Sequence, residues 1–66
     1  MNNNLIGVDQ EAKICRVLSK GLEWQVQFQG SFWKARAIQP NIDFSPSDRA
    51  YVVGRQNLTL LIQKIL

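Results

Sequence analysis

The stretch from Leu22 to Gln29 narrows most what this chain can fold into. Leu22, Trp24, Val26 and Phe28 alternate with Glu23, Gln25, Gln27 and Gln29. A strict period of two belongs to a β-strand with one buried and one wetted face. Gly30-Ser31 follows at once. Glycine before serine signals a two-residue type II′ turn, because glycine supplies the positive φ at the first central position. The turn predicts a hairpin with Gln29 opposite Phe32, Phe28 opposite Trp33, Val26 opposite Ala35 and Trp24 opposite Ala37. Opposed residues share a face, so the inner face reads Trp24, Val26 and Phe28 against Trp33, Ala35 and Ala37. A slip of one residue would carry Lys34 and Arg36 inside.

The outer face of this hairpin is polar, with Glu23, Gln25, Gln27 and Gln29 beside Phe32, Lys34, Arg36 and Ile38. Gln25, Gln27, Phe32, Lys34 and Arg36 form the candidate partner-binding face. They offer hydrogen-bonding amides, two cations and one exposed ring.

Elsewhere the chain is short β-prone runs parted by turn signals, with no helical apolar stripe. The expected strands are Ala12–Ser19, Leu22–Gln29, Phe32–Gln39, Arg49–Gly54 and Leu58–Ile65. Pro40 and Pro46 forbid a strand through the gap after the third, and the gap is too short for a helix. Ile42 and Phe44 are expected to tuck under the barrel as a plug, with Ser45-Pro46-Ser47-Asp48 turning the chain back. Arg55-Gln56-Asn57 reads as a turn in which Asn57 accepts left-handed geometry. Leu58, Leu60 and Ile62 share one face of the last strand, with Leu61 out of phase. Five short strands with one long gap predict an all-β, five-stranded Greek-key barrel of the OB type, the alternative being an SH3-like barrel.

Sixty-six residues hold one domain. Residues 1–10 read as a flexible leader and 11–66 as the single barrel. A chain this short buries only ~60% of the surface it exposes unfolded, so docking on another domain or another copy would help it. Eight Lys and Arg against five Asp and Glu give a net charge of +3, scattered along the chain and matched to solubility. Cys15 is the single cysteine. Within its apolar run it is expected to act as a small buried hydrophobe, in a reducing compartment. No stretch nears the ~20 apolar residues that span a bilayer. The chain is therefore expected to be soluble, with no direct membrane insertion.

Catalytic means are sparse. There is no histidine, the commonest general base and a main zinc ligand. One cysteine builds neither a metal site nor a Cys-His pair. Ser45-Pro46-Ser47-Asp48 is turn chemistry, and Gly7, Gly21, Gly30 and Gly54 stand singly, so no phosphate loop forms. The expectation is a non-enzyme with no cofactor, no metal and no catalytic residue.

The stretch Gly30-Ser31-Phe32-Trp33-Lys34-Ala35-Arg36-Ala37, then Ser45-Pro46-Ser47-Asp48, Tyr51-Val52-Val53-Gly54 and Leu58-Thr59-Leu60, resembles the C-terminal domain of NfeD-like proteins. The resemblance spans about residues 12 to 65. Ser47 stands where that family commonly has glycine, and Leu18-Ser19-Lys20-Gly21 lacks the proline often found before the first hairpin's glycine. The resemblance implies a five-stranded OB barrel, either free-standing or the soluble piece of a membrane protein, on the cytoplasmic side, docking on stomatin- or flotillin-type membrane scaffolds. It brings no catalytic residue to this region. Three roles follow: a protein-interaction barrel; a single-stranded nucleic-acid module working through Phe32, Lys34 and Arg36; or a structural part of a larger assembly, weak homo-oligomers included.

Overall fold

In the computed structural model, which describes residues 10–65, the chain forms β1 (Glu11–Ser19), β2 (Glu23–Phe28), β3 (Ser31–Ala37), β4 (Arg49–Gln56) and β5 (Thr59–Lys64). The expected leader lies, except for Gln10, outside the described residues. The strands close into a barrel in the order β1-β2-β3-β5-β4, with β4 returning to β1. All neighbours are antiparallel except β3 and β5, which run parallel. This Greek-key order is that of the OB-type barrel, not of the SH3-like alternative.

The inner faces assemble as the alternation of apolar residues requires. Ala12, Ile14, Trp24, Val26, Ala35, Phe44, Ala50, Val52, Leu60 and Ile62 make the buried core, with Phe28, Trp33, Ala37 and Ile42 packed at its margin. Trp24 is fully buried and sits opposite Ala35. Ala12 sits opposite Ala50. Small residues around one large ring are what a narrow barrel interior can hold. Trp33 stays half-buried at the rim, with the Arg55 guanidinium 5.8 Å above its ring.

The β2–β3 hairpin departs from the expected register. Trp24 pairs with Ala35, Val26 with Trp33, and Phe28 with Ser31. The turn is Gln29-Gly30, with φ of 50° and 82°, so both central residues are left-handed, as in a type I′ turn. Glycine does supply positive φ, but at the second position. The pairing moves by two residues, and an even shift keeps every side chain on its expected face.

Three extra residues bend the strands. The ladders skip Cys15 and Leu18 in β1 and Val53 in β4. Such bulges add twist and curvature, which closure of a small barrel needs. They also explain two departures from strict alternation. Cys15 is half-buried, with Sγ 3.7 Å from the Lys13 carbonyl, and is not part of the buried core. Beyond Val53, β4 continues to Gln56, and the turn is Asn57-Leu58. Leu58 is therefore 79% exposed instead of joining Leu60 and Ile62 inside. Asn57 takes φ of 58°, as its side chain permits. Leu22 likewise lies in the β1–β2 turn, its N–H donating to the Ser19 carbonyl at 2.8 Å, and is exposed.

The β3–β4 connection is a plug without a helix. Phe44 is buried, its ring edge-on to Trp24 with centroids 5.1 Å apart. Lys64 Nζ lies 5.3 Å from the Phe44 ring centre and donates to the Asp43 carbonyl at 3.2 Å. The Ser45 N–H donates to Asp48 Oδ2 at 2.9 Å, closing the expected turn. The Ser47 N–H donates to the Ile14 carbonyl, and the Ile14 N–H to the Asp48 carbonyl, each at 2.8 Å.

Ser47 is held at φ 81°, a region that costs a residue with a side chain ~1–2 kcal/mol. Its place is where the NfeD-like pattern commonly carries glycine. Ser47→Gly should relieve that cost while loosening the unfolded chain by ~0.4–1 kcal/mol. The expected net gain of about 0.5–1 kcal/mol would raise Tm by roughly 4 °C, read by thermal circular dichroism. An unchanged or lower Tm would show that the loop carries no strain here.

Candidate functional site

The β2–β3 register decides which outer side chains are neighbours. Gln27 pairs with Phe32 and Gln25 with Lys34. On the far side of β2, Gln27 pairs with Lys13 and Gln25 with Arg16 of β1. Two rows therefore cross the outer sheet. One runs Lys13, Gln27, Phe32. The other runs Arg16, Gln25, Lys34 and on to Thr59 of β5. Arg36 follows Lys34 on the same face and pairs with Leu61.

All five expected residues thus share one face. Phe32 is 64% exposed. Gln27, Lys34 and Arg36 are exposed as well, while Gln25 is half-buried. Phe32 sits near the β2–β3 turn, and Arg36 near the other end of β3.

The same face holds Lys13 and Arg16, which a reading confined to the hairpin leaves out. Lys13 follows simple alternation from the buried Ala12. Arg16 does not. Counting by twos from Ile14 would turn Arg16 inward, and only the bulge at Cys15 brings it beside Gln25. Charge along the chain carried part of the signal. Residues 12–42 contain Lys13, Arg16, Lys20, Lys34 and Arg36 against a single acid, Glu23. The remaining cations, Arg49, Arg55 and Lys64, are outnumbered by Asp9, Glu11, Asp43 and Asp48. The positive charge is therefore a property of the β1–β2–β3 side, not scattered. Glu11 is also occupied, 3.8 Å from Arg49, an exposed pair worth ~0.2–1 kcal/mol.

Chemically, this face can hydrogen-bond through amides, attract anionic groups through cations, and bury one aromatic ring. Among the described residues no cluster of three or more His, Cys, Asp or Glu could hold a metal ion. Nor is any described helix long and apolar enough to cross a membrane.

No family model matches the chain, and no curated protein matches it. A solved structure does: the soluble domain of a membrane protein implicated in regulation of membrane protease activity, from Corynebacterium glutamicum. The TM-score is 0.73 at 26% sequence identity, over 85% of this chain and 87% of that one. Over most of its length this chain is therefore a five-stranded barrel similar to the soluble domain of that membrane protein, as the NfeD-like resemblance of its sequence implied.

Proposed function

We propose that this chain is a non-catalytic interaction barrel that docks on a protein partner through the outer face of β2 and β3. The observation that carries this reading is the exposed Phe32 beside Gln27, with Lys34 and Arg36 next along the strand. A solvent-exposed ring framed by amides and cations suits the centre of an interface, where aromatic and Arg anchors dominate the binding energy. Likeness to a soluble domain of a membrane protein implicated in protease regulation supports a regulatory, attached role over a catalytic one. The partner implied by the NfeD-like resemblance is a stomatin- or flotillin-type membrane scaffold, with self-assembly as the other form of the same reading.

Binding of the barrel to a purified scaffold of that type, measured by calorimetry, tests it. Phe32→Ala should weaken binding roughly tenfold or more, and Lys34→Glu with Arg36→Glu by at least as much. Affinities equal to wild type would show that another face docks.

Lys13 and Arg16, on the same face, also favour a second reading, a single-stranded nucleic-acid module. One exposed ring supports it weakly, since such modules stack several bases at ~1–3 kcal/mol each. Absence of binding to labelled single-stranded DNA and RNA at about 50 mM salt would dispose of it.

A further inference from the structure

We propose that the barrel end formed by the β1–β2 turn and the segment after β3 is a peripheral contact surface for an anionic lipid bilayer. Seven large hydrophobic residues are exposed among the described residues; Val17 and Leu18 lie near the end of β1, Leu22 in the turn after it, and Ile38 just past β3 in the same cleft as Leu22. The bulge in β1 takes Leu18 out of the ladder, and Leu22 projects from the turn at 57% exposure. Leu22, Arg36 and Ile38 line one cleft of about 320 Å³. Arg16 lies in β1 and Lys20 in the turn that follows it. Glu23 is the single acid between residues 12 and 42.

Aliphatic tips beside cations fit a headgroup boundary better than a protein. Protein interfaces draw much of their energy from Trp and Tyr anchors, and neither is among the exposed hydrophobic residues at this end. A bilayer surface accepts branched aliphatics at the level of the acyl boundary while phosphates meet Lys and Arg. The contact is made by side chains, and no segment inserts. It lies at the opposite end of β3 from Phe32, the aromatic anchor of the docking face proposed above, although Arg16 and Arg36 border both surfaces.

Co-sedimentation with vesicles of phosphatidylcholine alone, and of phosphatidylcholine with about one-third phosphatidylglycerol, tests the proposal. Binding is expected only to the anionic vesicles, and should fall as salt is raised. Lys20→Gln and Arg16→Gln should each lower partition about fivefold. Leu22→Ser with Ile38→Ser should lower it at least as far. Both residues are exposed, so thermal melts should match wild type. Phe32→Ala should leave vesicle binding unchanged, which separates this result from the fate of the protein-docking face. Equal binding to neutral vesicles, no binding at about 50 mM salt, or full binding by the Leu22/Ile38 variant would each overturn the proposal.

Discussion

Trp24→Ala is expected to remove roughly a third or more of the protein's stability. Trp24 is fully buried at the centre of the barrel, opposite Ala35 and edge-on to Phe44. Cutting a buried tryptophan back to alanine costs ~3–5 kcal/mol, because the lost transfer energy is joined by a cavity. A domain of this length has only about 3–10 kcal/mol in total. Ala35 opposite the ring, and Ala12 and Ala50 in the same core, carry only a methyl group and cannot reach into the space. Far-ultraviolet circular dichroism against urea would show the loss directly. An unfolding free energy within about 1 kcal/mol of wild type would mean that the barrel collapses around the gap. Trp24→Phe should cost much less. It keeps a ring in place and removes an indole N–H that finds no acceptor among the described residues.

Phe44→Ala is expected to cost about 3 kcal/mol, toward the lower end for a buried aromatic, since Phe44 seals one end of the barrel from a loop. Three interactions go together: burial at 3% exposure, the edge-on contact with Trp24, and the Lys64 ammonium above the ring. The aromatic pair and the cation would each contribute ~0.5–1.5 kcal/mol beyond area alone. For a domain of this size the loss should lower Tm by more than about 10 °C. Phe44→Leu should recover part of it, since a hydrophobe of similar volume keeps the end sealed. A fall of under about 3 °C for Phe44→Ala would show that the loop merely covers the barrel. Because Phe44 lies away from the β2–β3 outer face, whatever folded protein remains should bind partners normally.

Much of this architecture was legible from local rules. Alternation alone assigned Trp24 and Val26 to the interior and Gln25, Gln27, Phe32, Lys34 and Arg36 to the exterior, and the structure keeps each on its expected face, with Gln25 half-buried. The two prolines and the apolar pair Ile42 and Phe44 identified a plug in place of a helix. Turn chemistry placed left-handed geometry at Gly30 and Asn57. The family resemblance singled out Ser47 as a position that commonly holds glycine, and it proves to carry a positive φ.

The hairpin register was beyond those rules. A period of two fixes parity, and parity survives any even shift. Choosing Trp24 opposite Ala35 over Trp24 opposite Ala37 depends on how the ring packs against strands and a plug far away in sequence. Bulges were equally hidden, since nothing in the residue types of Cys15, Leu18 or Val53 forces an extra residue. The curvature needed to close the barrel does so. That closure turned Arg16 outward, set Lys13 and Arg16 beside the glutamines of β2, and exposed Leu18 next to Leu22. The sequence by itself determined which side chains face in and which face out. Only the tertiary structure decided which outward side chains stand together, because neighbourhood across a barrel is set by long-range packing and closure.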